Sequence, residues 1–248
     1  MGDLFFKVEG EGETILFLPG LCLNHHLFDE TAKFLKDRYR LIFVDLYGTG
    51  NSPKPKEKYS FKEDIIQVFE IIKNFPSTYV IAHSRGVKIA LGLYKHYKHF
   101  KKSIFVGQAG FGERDDLFSK NVLEVKKLKL TSKNEIAKIL ERNLNFGKIY
   151  GGTETLQKLK KAKDNCDIVD TLLRRVEDSP NYKEIAKNFH KEVNFVVGER
   201  DPFYSDIKDA LKIYKNAKIY EIPQSGHFPM IENSEKFNLI LNNILQGG

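Results

Sequence analysis

An α/β fold, with a mostly parallel central sheet flanked by helices and a helical segment inserted into it, is what the 248-residue sequence predicts. Three observations carry that expectation. Short apolar runs alternate with stretches of helical spacing through residues 1–111. The apolar runs are continuous rather than alternating, as in strands covered on both faces. The alternation then breaks: residues 112–188 are rich in Lys, Leu, Glu and Asn and hold no convincing strand. Strand–helix alternation builds parallel sheets through right-handed crossovers. Residues 1–111 and 189–248 therefore read as one core, and 112–188 as a helical cap of four or five helices. An insertion after a parallel strand lies over the edge where ligands bind in such sheets.

Taken in order, residues 3–8 read as a first strand and Thr14–Leu18 as a second, ended by Pro19-Gly20. Residues 27–38 have helical spacing, and Leu41–Val44 is a buried strand. From Phe61 to Phe75, Ile65, Val68, Phe69 and Ile72 fall at i, i+3, i+4 and i+7, the signature of an amphipathic helix. Tyr79–Ala82 is a strand followed by a helix to about Tyr97, and Ser103–Gly107 is another strand. Past the insertion, strands return at Val193–Val197 and Ile219–Ile222, and a last helix spans 234–245.

Composition narrows the function classes. Hydrophobic residues at 41% and charged residues at 29% fit a folded globular chain. A chain of this length buries enough surface to need no disulfide or metal staple. Cys22 and Cys166 therefore read as free thiols, and no Cys/His spacing suggests zinc. The net charge is +7, from 40 basic and 33 acidic residues. Only eight of the basic residues are Arg, which argues against a dedicated nucleic-acid reader. No apolar run approaches a membrane span, and the N-terminus lacks a signal-peptide pattern. The reading is a cytoplasmic protein.

Ala82-His83-Ser84-Arg85-Gly86 joins a strand to a helix. It matches G-x-S-x-G, a strained turn that holds a serine hydroxyl out above the sheet, with Ala for the first Gly. A Ser at this place could also simply cap the helix. A serine nucleophile needs a base, and the base needs a third group to orient it. Asp201 follows the strand ending Val197-Gly198, and His227 follows the strand ending at Ile222. The order Ser84, Asp201, His227, each at a strand's C-terminal end, is that of a triad. Ser84 would attack, His227 serve as general base then acid, and Asp201 fix the imidazole tautomer. Backbone donors for an oxyanion are expected from the Arg85 N–H and from the turn Pro19-Gly20-Leu21-Cys22. His83 reads as packing beside the nucleophile, and His25 or His26 as loop residues or pocket lining.

Five segments together resemble the α/β-hydrolase superfamily, in its serine-hydrolase branch with a helical cap. They are Leu18–Leu21, Asp45–Ser52, the elbow at Ser84, Gly198–Asp201 and Gly226–Pro229. The resemblance implies the α/β-hydrolase fold and places the second oxyanion donor at the Leu21 N–H. The family usually has His-Gly where this chain has Pro19-Gly20. Asp45 reads as structural in a tight turn that supports the oxyanion loop, with a back-up triad acid as the alternative. Because relatives that open epoxides or remove halides carry Asp at the elbow, Ser84 implies ester, thioester, lactone or diketone C–C cleavage. The favoured expectation is a carboxylesterase that needs no cofactor and no metal. The alternatives are a C–C hydrolase of a diketone and a silent ligand-binding homologue.

Arg85 stands in the first turn of a helix, where a cation is disfavoured. Either an acidic neighbour pairs with it, or it faces an anionic substrate group. Lysines cluster in the insertion, with Lys138 and Arg142 at i, i+4, and Lys158, Lys160, Lys161 and Lys163 close together. They form either a solvated face or a dock for an acidic carrier. Gly152–Thr155 is similar to the pimeloyl-[acyl-carrier-protein] methyl ester esterases of biotin synthesis. That similarity implies an acyl-carrier-protein partner, contacted by Lys138, Arg142, Lys158 and Lys161. No nucleic-acid or membrane partner is expected. Phe111, Phe146 and Phe228 are core or substrate-pocket residues by position.

Overall fold

The computed structural model describes residues 2–54, 56–75, 78–97, 99–112, 149–163, 175–176 and 181–247. Seven strands make the central sheet: β1 (Phe6–Glu9), β2 (Glu13–Leu18), β3 (Tyr39–Val44), β5 (Thr78–His83), β6 (Phe100–Val106), β8 (Glu192–Gly198) and β9 (Ala217–Ile222). Their order is β1-β3-β2-β5-β6-β8-β9. β1 is antiparallel to β3, and every other pair is parallel. The chain runs from β2 outward to β3, then returns to the other side of β2 as β5. The loops leaving β2 and β5 therefore emerge side by side where strand order reverses, the place that binds ligands in open α/β sheets.

Helices cover both faces. Leu16, Leu18, Val80, Ala82, Phe105 and Val197 pack one face against α2 (Phe61–Ile72), α3 (Gly86–Tyr94) and α5 (Tyr182–Lys187). Ile15, Phe17, Ile81, Ile104 and Val196 pack the other against α1 (Asp29–Leu35) and α8 (Ser234–Leu245). Successive strand residues thus serve opposite faces, and both are apolar. That is why the strands read as unbroken apolar runs. Phe17 is fully buried, which contributes roughly 1.5–3 kcal/mol for such a side chain. α2 starts at a capping box in which Ser60 and Glu63 satisfy each other's backbone N–H groups.

Inside 112–188, α4 (Gly152–Ala162) is a helix as expected. The absence of strands there is corrected at one place: β7 (Arg175–Val176) pairs in parallel with β4 (Tyr59–Ser60). Two residues carry no hydrophobic period, so nothing in the sequence marks them. Two short helices follow at α6 (Tyr204–Ala210) and α7 (Pro229–Glu232).

The free-thiol reading of Cys22 is also corrected, because Cys22 is disulfide-bonded. The other cysteine of the sequence, Cys166, lies outside the described residues. Chain length shows that a fold needs no staple, but whether two thiols meet is a matter of tertiary proximity. The cysteine argument for a cytoplasmic location falls with it. Among the described residues no helix is long and apolar enough to cross a membrane.

Candidate active site

Ser84 follows the last residue of β5, and its φ is +50°, a left-handed conformation that non-glycine residues rarely hold. The surroundings enforce it. The Ser84 N–H donates to the Val106 carbonyl at 2.9 Å, which ties the turn to the end of β6. Gly86 lies so close to β2 that a Cβ there would stand 2.4 Å from the Leu18 oxygen, so only Gly lets α3 leave at this angle. A buried residue in such a conformation stores strain that the fold around it must support.

Asp201 follows β8 and His227 follows β9, and both are buried. The His227 Nδ1 meets Asp201 Oδ2 at 3.0 Å and Oδ1 at 3.2 Å. A carboxylate only accepts, so Nδ1 carries the proton and Nε2 offers its lone pair. The Phe203 N–H donates to Asp201 Oδ1 at 2.8 Å. Gly107, just past β6, has φ +69°, and a Cβ on it would lie 2.9 Å from Asp201 Oδ2 and 3.0 Å from His227 Nδ1. The neighbouring strand end therefore makes room for the pair.

Ser84 and His227 line one cleft of about 250 Å³, counted out to solvent, with Leu21, Leu23, His83, Lys163 and Phe228. Leu21 follows β2, and the loop holding it runs against the serine: a Cβ on Gly20 would stand 3.1 Å from the Ser84 Cβ. The Leu21 N–H makes no hydrogen bond among the described residues. The loop is braced from below by Asp45, which accepts the His25 N–H at 2.7 Å, meets His25 Nδ1 at 2.9 Å and accepts the Asn51 N–H at 2.9 Å. Asp45 is thus a loop brace, and His25 is its partner rather than pocket lining.

His83 is wholly buried and donates from Nε2 to the His227 carbonyl at 2.8 Å, with the two rings 4.7 Å apart. Burial, and then the nearness of His227, hold its pKa well below the usual value, so it is neutral. Glu232 of α7 accepts the N–H groups on both sides of His227, from Gly226 at 2.8 Å and Phe228 at 3.0 Å. Its other oxygen accepts the Tyr150 N–H at 3.0 Å. Burial raises its pKa against the pull of those three donors. Sequence reasoning missed Glu232. Its one signal was an acid five residues past the candidate histidine, and a surface helix explains that equally well.

Other expected site residues fall differently. Phe228 lines the cleft, whereas Phe111 stacks on Tyr214 at 6.0 Å and packs against the core. The Arg85 side chain is buried with its guanidinium 4.8 Å from the Phe61 ring centre. It lines a second cleft with Leu21, Tyr47 and Thr49, not the one holding Ser84 and His227. Lys158 pairs with Glu154 at 2.8 Å and Glu30 at 3.6 Å, and Lys161 with Asp29 at 2.8 Å. Phe146, Lys138 and Arg142 lie outside the described residues. No cluster of three or more His, Cys, Asp or Glu able to hold a metal ion occurs among the described residues.

The family model described as the alpha/beta hydrolase fold matches residues 13–136. A 105-residue stretch is 34% identical to the probable lysophospholipase BODYGUARD 4 of Arabidopsis thaliana, covering 40% of this chain and 25% of that one. The match thus spans about a quarter of that relative's length. Among solved structures, the esterase EaEST from Exiguobacterium antarcticum superposes with a TM-score of 0.78 at 20% identity, over 100% of both chains. MenH from S. aureus superposes with a TM-score of 0.78 at 18% identity, over 99% of this chain and 98% of that one.

Proposed function

The chain belongs to the α/β-hydrolase family, and on that premise we propose that it is a serine hydrolase that cleaves a carboxylic ester through Ser84, His227 and Asp201. One observation carries the reading: His227, locked by Asp201 through Nδ1, opens onto the same cleft as a serine held at φ +50°. His227 Nε2 takes the Ser84 proton as Oγ attacks the ester carbonyl, then returns it to the departing alkoxide. Water, activated by the same nitrogen, attacks the acyl-enzyme, and the acid leaves. The Arg85 and Leu21 N–H groups receive the oxyanion. Loss of one such donor typically costs about 2.7–4 kcal/mol.

An ester is favoured over a diketone C–C bond by the lysophospholipase name of the curated relative. Ion pairs already engage Lys158 and Lys161, which supports a small ester over a substrate carried on an acidic protein. The test is a p-nitrophenyl ester chain-length series on the wild type and Ser84→Ala. Ser84→Ala is expected to lower kcat by roughly 10⁴–10⁶. Equal turnover in both proteins overturns the mechanism, and no turnover by the wild type on any chain length removes the ester reading.

A further inference from the structure

Lys163 is the one cation that lines the cleft with Ser84 and His227 among the described residues. It caps the C-terminus of α4, where its backbone N–H donates to the Leu159 carbonyl at 3.0 Å. Its place is fixed by Asn24 from the loop beyond Leu21. The Asn24 N–H donates to the Ala162 carbonyl at 2.8 Å, and its Nδ2 donates to the Lys161 carbonyl at 3.1 Å. The Lys163 ammonium lies 5.8 Å from the ring centre of Phe228, next to the candidate base.

Two lysines of α4 are committed elsewhere, Lys158 to Glu30 and Glu154, and Lys161 to Asp29. Lys163 forms no ion pair among the described residues. It stands exposed at the rim, yet the surrounding protein is dense enough for desolvation alone to lower its pKa. A lysine on the solvated face of a helix needs no anion. A lysine at the mouth of a catalytic cleft, near an apolar ring and paired with no carboxylate among the described residues, is placed to meet an anion that enters the cleft.

We propose that Lys163 binds an anionic group of the substrate, so that the ester cleaved at Ser84 carries a carboxylate or a phosphate on one of its two halves. This rests on the serine-hydrolase reading above and moves the charge-selecting role from Arg85, which faces the other cleft, to Lys163. Apolar Leu21, Leu23 and Phe228 hold the carbon chain while the ammonium fixes its charged end.

The experiment compares wild type, Lys163→Met and Lys163→Arg on two anionic esters. These are p-nitrophenyl hemiglutarate, charged on the acyl half, and butyryl glycerol 3-phosphate, charged on the alcohol half. Neutral counterparts are p-nitrophenyl valerate and butyryl glycerol. Lys163→Met should raise KM for one anionic ester over its neutral counterpart by roughly ten- to a hundredfold, and Lys163→Arg should restore most of that ratio. The ester that suffers identifies the charged half. Equal changes on charged and neutral esters overturn the proposal. Calorimetry of monomethyl glutarate and of glycerol 3-phosphate with Ser84→Ala, with and without Lys163→Met, reads the same contact without turnover. Weaker binding of either ligand by the double variant supports it. Equal affinity of the two proteins for both ligands, or no heat with either, overturns it. Should Ser84→Ala hydrolyse esters as fast as the wild type, the hydrolase reading falls, while the calorimetry still decides on Lys163.

Discussion

One wall of the cleft is made of strand ends, and the other of a helix edge. Ser84, Asp201 and His227 leave β5, β8 and β9 of one sheet, in which every residue of β5 and all but the first of β8 are buried. Each loop is then pinned by hydrogen bonds: Ser84 to Val106, Asp201 to Phe203, His227 to His83, and the residues on both sides of His227 to Glu232. α4 presents Lys163 by other means. Only Thr155, Leu159 and Ala162 of that helix are buried, and Asn24 and two surface ion pairs do the rest. Buried and half-buried bonds compete less with water, whereas exposed ion pairs contribute only about 0–1 kcal/mol each. On the proposed reading, the chemistry stands on the stiffer wall, and selection on the one that costs little to alter.

Substitutions can break that contrast. The largest effect is expected from Asp201→Asn, which keeps the shape but lets the side chain donate to His227 Nδ1 and so favours the wrong tautomer. On the proposed mechanism kcat should drop by roughly 10⁴ with KM little changed, measured by steady-state kinetics on a p-nitrophenyl ester. A loss below tenfold would mean that the stiff wall does not set the tautomer.

A smaller effect is expected at His83. Its folded pKa is depressed, so the unfolded chain takes up a proton that the folded protein refuses. Its contribution to stability is present above the unfolded value near 6.5 and is lost as pH falls towards the folded pKa. The loss is up to about 1.4 kcal/mol per pH unit. Denaturant melts at pH 7 and pH 5 should show a weaker acid-side decline for His83→Gln than for the wild type. Identical declines would show that His83 does not titrate in this way.

The smallest effect is expected at Lys161→Met. Burial raises the Asp29 pKa, but hydrogen bonds from Lys161 and His26 outweigh it and leave the carboxyl below its usual range. Both partners are part-exposed, at 57% and 37%, so the pair should contribute less than about 1 kcal/mol and fade with salt. A melting shift between wild type and variant at low salt, closing at high salt, checks this. A salt-independent shift would mean that packing of the lysine stem matters more than its charge.

Much of the fold was legible because its signals are local. The apolar runs at 14–18, 41–44, 79–82 and 193–197 all fall inside β-strands, since a strand buried on both faces needs nothing but its own residues to declare it. The strain-bearing Ser84 and the loops of Asp201 and His227 were legible by order and context. Glu232 and Gly107 were not assigned roles, because an acceptor for two N–H groups or a missing Cβ has no sequence pattern of its own. Arg85 shows the limit from the other side. Its position beside Ser84 suggested a substrate contact, yet the turn sends its side chain under Phe61 and into a different cleft.

The sequence by itself determined the family, the parallel sheet and which three residues stand at strand ends in the order of a triad, because these depend on composition, period and position along the chain. Only the tertiary structure decided that β2 and β5 are neighbours, that Cys22 is bonded, that Lys158 and Lys161 are committed to acids, and that Lys163 lines the same cleft as Ser84. Those outcomes rest on distances between residues far apart in the chain, set by how the helices pack on the sheet, and no local pattern encodes them.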